Sequence, residues 1–209
     1  MESVTVLDES LRLTLEPRED QLVACIEDQV NGLQWGPVRL FDLEVYCKDE
    51  FRVTRETRYS IDEFEHAECG GIHATVRHAA YGVRAGFWFS IEDGELVVRM
   101  PIPEVYEDRA QRRLFSVMLL PELMQATSSG EMLLPLNTGC LSSPAGKPKL
   151  RDRFMIYGEQ SRWELLPTLP VCAVMNPNGG LMAMATGTPA ETECHVSTDG
   201  RGNGTVGFG

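Results

Sequence analysis

Apolar residues return at every second position from Val83 to Ile91, through Ala85, Phe87 and Phe89. That period predicts a strand with one buried face, with Phe87 and Phe89 inside and Arg84 and Ser90 on the opposite side. Glu92-Asp93-Gly94-Glu95 then predicts a hairpin onto Leu96, Val98 and Met100, with Asp-Gly as the turn dipeptide. The same alternation marks Leu11-Leu13-Leu15, Leu22-Ala24-Ile26, and Ile72-Ala74-Val76-His78. Asn31-Gly32, Gly36-Pro37, Gly70-Gly71 and Tyr81-Gly82 punctuate these runs as turns. Residues 104–113 are a polar crossover with room for one or two helical turns. Phe115–Leu120, apolar except for Ser116, predicts a strand buried on both faces. Towards the end, Val171–Met175 and Leu181–Ala185 flank Pro177-Asn178-Gly179-Gly180 as a further hairpin, followed by Thr192–Val196 and Thr205–Phe208.

These runs amount to about a dozen strands at the spacing of sandwiches and barrels, with no long 3.6-residue period. The pattern predicts an all-β chain, a large antiparallel β-sandwich forming one domain over residues 1–209. The alternation gives way between Gly130 and Trp163, where a Gly, Pro, Ser and Lys loop separates Met132–Leu136 from Phe154–Tyr157. A β scaffold commonly carries function on such connections.

Composition narrows the partners. A net charge of −12, from 31 acidic and 19 basic residues, opposes binding to nucleic acid or to an anionic membrane. No run approaches the ~20 apolar residues of a membrane span. The start MESVTVLDES has neither a basic nor an apolar signal region, so a native Met1 predicts a cytoplasmic chain. The six cysteines, at 25, 47, 69, 140, 172 and 194, form no CxxC pair and no metal-ligand spacing. Cys25, Cys172 and Cys194 sit in apolar or alternating stretches as small hydrophobes, and in a reducing compartment all six are expected free.

Several short motifs together carry a family resemblance. They are Asn31-Gly32 before Trp35-Gly36-Pro37, the Phe87–Leu96 hairpin, Leu133-Leu134-Pro135 with Asn137-Thr138-Gly139, Tyr157-Gly158, and Trp163-Glu164. In this order they resemble the galactose mutarotase-like β-supersandwich, in particular the N-terminal sandwich that precedes a catalytic (β/α)-barrel in glycoside hydrolases. The resemblance implies a non-catalytic, carbohydrate-associated domain flanking a glycan site, with a downstream catalytic domain in the same chain. The ending Gly202–Gly209, in or just after a strand, reads as the N-terminal part of a longer polypeptide. The alternatives are a self-contained sugar-active enzyme of epimerase or lyase type, and a structural or interaction module.

No catalytic motif is complete. His73 and His78 are five apart and point to opposite faces of one strand, and no histidine is paired with a defined base. Ser128-Ser129 and Ser142-Ser143 lie in turns without a nucleophile elbow. GRGNG at 200–204 lacks the helix and lysine of a phosphate loop and reads as a hairpin turn. Catalytic residues, metal ligands and cofactors are therefore assigned to none. The one cluster with ligand chemistry is Tyr157, Glu159, Gln160, Arg162 and Trp163, with Asn137 on the preceding loop. An aromatic face can cover sugar C–H groups while amide, carboxylate and guanidinium groups satisfy the hydroxyls.

Overall fold

The computed structural model describes residues 2–67, 70–107, 110–136, 139–157, 169–187 and 191–209. It is all-β with antiparallel pairing, and it divides into two compact units, Met1–Val117 and Met118–Gly209. The first unit holds β1 (Val4–Leu7), β2 (Leu11–Arg18), β3 (Gln21–Asp28), β4 (Leu33–Arg39), β5 (Phe41–Cys47) and β6 (Arg52–Glu56). It continues with β7 (Ser60–His66), β8 (Ile72–His78), β9 (Val83–Glu92), β10 (Glu95–Arg99), a 3-10 helix (Ile102–Glu104), β11 (Tyr106–Glu107) and β12 (Arg112–Leu119). Three sheets result, in the orders β1-β2-β3-β4, β12-β5-β6 and β10-β9-β8-β7, with β11 also pairing β9.

The predicted alternation sets the inward faces. Val83, Ala85, Phe87 and Phe89 of β9 and Ile72, Ala74 and Val76 of β8 are all buried. Arg84 and Ser90 lie half-buried on the other side. Phe41 of β5 stacks on Phe87 with centroids 4.3 Å apart and on Tyr59 at 4.7 Å. Each such pair adds about 0.5–1.5 kcal/mol beyond its area burial. The β9–β10 turn uses Asp93 and Gly94 at φ 52° and 80°, the two positive values that a two-residue hairpin of matching twist requires.

Among its described residues this unit holds one buried charge. Asp42 of β5 is 1% exposed and is met by Arg39 Nε at 3.3 Å and by Arg55 Nε at 2.9 Å, with a second contact from Arg55 Nη2. The Tyr59 hydroxyl oxygen accepts the Leu22 backbone N–H at 2.9 Å, and burial pushes this phenol well above its ordinary pKa.

Two expectations need correction. Phe115–Leu120 is not buried on both faces: Phe115 is 49% exposed and the five residues after it are half-buried, so the packing layers cover this strand only in part. Gly36-Pro37 does not end a strand but lies inside β4, opposite a register shift between Ala24 and Ile26. The bulge absorbs the irregular backbone and leaves the pairing running on both sides of it.

The second unit contains β13 (Gln125–Ala126), β14 (Glu131–Leu134), β15 (Cys140–Ser142), β16 (Leu150–Met155), β17 (Val171–Asn176), β18 (Gly179–Met184), β19 (Glu193–Thr198) and β20 (Gly204–Phe208). They form two four-stranded sheets, β13-β20-β19-β16 and β15-β14-β17-β18. Met124, Met132, Leu134, Phe154, Ile156, Cys172, Val174, Cys194, Val196 and Val206 share one buried core. Gly200–Gly204 is a hairpin turn, as its sequence predicts. Asp199 ties it down by accepting the Arg201 and Asn203 backbone N–H groups and the Asn203 side-chain amide.

Candidate functional site

The face of β7–β10 opposite the core gathers the chemistry of the first unit. Because side chains alternate along a strand, burying Ile72, Ala74 and Val76 sends His73, Thr75 and Arg77 to the other side of β8. Trp88 goes the same way from β9. The registers then set Glu65 opposite His73, His73 opposite Trp88, and Trp88 opposite Arg99, one row across four strands. In the next row Glu63 lies opposite Thr75 and Thr75 opposite Gly86.

Glu104, at the end of the 3-10 helix, closes over this face. Its Oε1 accepts the Trp88 indole N–H at 2.8 Å, and its Oε2 accepts from His73 Nε2 at 3.0 Å. The two rings lie against each other, 4.5 Å between centroids and tilted by 34°. Gly86 makes the approach feasible: a Cβ there would overlap the carboxylate and come within 3.0 Å of Glu104 Cβ and Cδ. Burial pushes the Glu104 carboxyl up, but the hydrogen bonds from Trp88 and His73 outweigh it and hold the group below its ordinary value.

Charged groups frame the cluster. Glu63 accepts from Thr75 Oγ1 at 3.0 Å and lies 3.6 Å from Arg84. Arg99 grips Glu92 through two nitrogens at 2.5 and 2.7 Å. Ser90 also donates to Glu92, and together these contacts hold that carboxyl down to about 2. Tyr106, 62% exposed, stands opposite Arg84, two residues from Gly86 along β9. The arrangement presents an indole locked in orientation and surrounded by donors and acceptors. A flat ligand with an apolar face and polar edges suits such a surface. Both oxygens of Glu104 are occupied, so its geometry suits holding Trp88 rather than exchanging protons with a ligand.

A second imidazole–carboxylate pair occupies the other face. His78, at the end of β8, lies 3.4 Å from Glu56, and its ring stacks on Tyr81 at 4.6 Å. Burial, with Glu56 as acceptor, raises the Tyr81 phenol, and the Arg112 guanidinium sits 5.9 Å from the Tyr81 ring centre. These contacts tie the β8 end to β6 and β12. The sequence reading left every histidine without a base, whereas the fold places a carboxylate beside His73, His78 and, in the second unit, His195.

Of the residues selected from sequence, Tyr157 is 51% exposed and takes φ 58° just after β16, as a turn residue. Asn137, Glu159, Gln160, Arg162 and Trp163 lie outside the described residues. Sequence reasoning passed over the His73–Trp88–Arg99 row although a signal for it existed. Counting outward equally from the 78/83 turn pairs His73 with Trp88, and the 92/95 turn pairs Trp88 with Arg99. Among the described residues no three His, Cys, Asp or Glu side chains are grouped to hold a metal. No helix among them is long and apolar enough to cross a membrane. Comparison of the chain with family models, with curated proteins and with solved structures gives no match.

Proposed function

We propose that this chain is a non-catalytic, carbohydrate-associated β-sandwich domain of a glycoside hydrolase-like protein, and that it contacts glycan through the Trp88 face of β8 and β9. The sandwich reading is supported by the Phe41–Phe87 stack, which joins strands from two different antiparallel sheets. The mutarotase-like resemblance of the turn order supports the same architecture. The observation that carries the ligand reading is the Trp88 indole fixed by Glu104 within the row Glu65–His73–Trp88–Arg99. Aromatic residues with two rotatable side-chain angles give large contact area at low entropic cost, and the hydrogen bond to Glu104 lowers that cost further. The ligand class is a neutral oligosaccharide, whose C–H face covers the indole while hydroxyls meet the flanking charged groups.

A sugar-active enzyme of epimerase or lyase type is the alternative, and the 3.0 Å His73–Glu104 contact is what favours it. One experiment separates them. The purified chain is titrated with neutral oligosaccharides by calorimetry and incubated with aryl glycosides and free sugars. The binding reading expects saturable binding, no turnover, and at least a tenfold loss of affinity in Trp88→Ala, about 1.4 kcal/mol. Turnover abolished by His73→Gln would establish the enzyme instead. Binding unchanged in Trp88→Ala would remove this face from the account.

A further inference from the structure

One sheet edge of the second unit presents backbone groups that glycan binding does not use. β18 stands at the end of the sheet β15-β14-β17-β18, and among the described residues its strand neighbour is β17 alone. The two pair without a register shift from Asn176↔Gly179 to Val171↔Met184. Just beyond, the Ala185 N–H donates to the Pro170 carbonyl at 2.9 Å, which makes that pair a hydrogen-bonded one. Bonded and non-bonded pairs alternate along an antiparallel ladder. Leu181 and Ala183 therefore direct their backbone groups to β17, while Gly180, Met182 and Met184 aim N–H and C=O away from it. The same three are the exposed positions of the strand, Met182 at 70% and Met184 at 53%.

Sheet edges are commonly guarded by lysine, proline or a bulge. β18 has none of these: residues 179–187 (GGLMAMATG) carry no charge and no proline, in a chain whose net charge is −12. The surface beside it is apolar as well. The registers align Leu141, Leu133, Ala173 and Met182 in one row across the four strands, with Met175 and Met184 in the rows on either side. These side chains alternate with those of the core and so lie on the other face of the sheet. Glu131 shares the row of Met175, two strands in from the edge.

We propose that β18 is a homodimer interface, in which it pairs antiparallel with β18 of a second copy about a two-fold axis through Met182. The residue order is self-complementary in that register. Met182 faces Met182 of the second copy, Gly180 faces its Met184, and Leu181 faces its Ala183, so a large side chain meets a small one on both sides of the central methionines. The pairs that Gly180, Met182 and Met184 make are those whose backbone groups point outward, so each exchanges both of its N–H···O bonds. The two four-stranded sheets become one, and the rows ending in Met182 meet across the axis. A second copy is the occupant because the strand matches itself and sets no like charges opposite each other, which would oppose pairing. The contact is isologous and closes at two chains. It is independent of the Trp88 face, which belongs to the first unit.

The test follows the mass of the whole chain by sedimentation equilibrium from about 1 µM to about 0.5 mM, a range that spans weak self-association. The expected result is a reversible change from 23.3 kDa to twice that mass. Met182→Lys sets two ammonium groups against each other at the axis and should hold the chain at 23.3 kDa throughout. Because Met182 is exposed, that variant should keep its parent's circular dichroism, and Met184→Lys provides a second substitution at the same edge. Met175→Lys, on the same outer face but on the interior strand β17, should still pair. Amide exchange by NMR reads the register: Gly180 and Met184 should exchange about tenfold or more slower in the unsubstituted chain than in Met182→Lys at equal high concentration. A chain that stays at 23.3 kDa, or a mass that climbs past twice that value, would overturn the proposal. So would dissociation by Met175→Lys as complete as by Met182→Lys, or Gly180 and Met184 amides that are not slowed.

Discussion

Adding one methyl group at Gly86 is the sharpest perturbation of the Trp88 face, because it leaves every hydrogen-bonding residue in place. The new Cβ overlaps the Glu104 carboxylate and lies 3.0 Å from its Cβ and Cδ. Glu104 is 32% exposed on its side chain, so its end can swing out to water. In doing so it gives up the bonds from Trp88 and His73. Hydrogen bonds to a charged group contribute about 1.5–3 kcal/mol each. Rehydration of the partly exposed carboxylate returns part of that, and replacing a strand glycine returns about 0.5–1 kcal/mol more. Gly86→Ala should then destabilise the first unit by about 1–3 kcal/mol. The assay is urea unfolding followed by tryptophan fluorescence in a Trp163→Phe background, where Trp35 and Trp88 report on the first unit. A double-mutant cycle with Glu104→Ala identifies the cause. Once the carboxylate is gone, the added methyl has far less to displace, so the two changes should fall short of additivity by at least about 1 kcal/mol. Additive effects, or a Gly86→Ala chain as stable as its parent, would refute the proposed hold of Glu104 on Trp88.

Other substitutions test the scaffold beneath this face. Asp42→Asn leaves Arg39 and Arg55 facing a neutral amide. Removing one partner of a buried ion pair costs about 3–5 kcal/mol, and the guanidiniums, 29% and 31% exposed, recover some hydration, so urea unfolding should show about 2–4 kcal/mol. Tyr59→Phe strips the buried Leu22 N–H of its acceptor and should cost about 1–3 kcal/mol in the same assay. For Glu92 the folded pKa of about 2 lies below the ordinary 4.5, so its contribution is present above 4.5 and is lost as pH falls through about 2. Carboxyl NMR should find that midpoint, and Arg99→Ala should return it towards 4.5. A Glu92 midpoint near 4.5 in the unsubstituted chain would remove the Arg99 pairing.

What could be read from sequence was whatever depends on neighbours along the chain. The alternation at 83–91 placed Phe87 and Phe89 inside, and Asp93-Gly94 located the hairpin. Both follow from local sterics and from burial of one face of a strand. Phe115–Leu120 misled because an apolar run states the composition of a strand, not how fully other layers cover each of its faces. Gly36-Pro37 misled because the dipeptide that elsewhere makes a turn is here a bulge in β4 itself, two residues facing the single Cys25 of β3. The candidate face was half legible. His73, Trp88 and Arg99 follow from counting out from two turns, but Glu104 reaches them from a short 3-10 helix beyond the hairpin, where no strand register can be counted. Gly86 acquires its meaning only once Glu104 is above it.

Fluorescence from a single tryptophan tests the Trp88 face most directly. With Trp35 and Trp163 replaced by Phe, all tryptophan emission comes from Trp88, and neutral oligosaccharides are titrated while calorimetry is run on the unsubstituted chain. The account predicts a saturable change in Trp88 emission with a Kd matching the calorimetric one. Calorimetric binding accompanied by silent Trp88 emission, or no binding by any oligosaccharide tested, would contradict it.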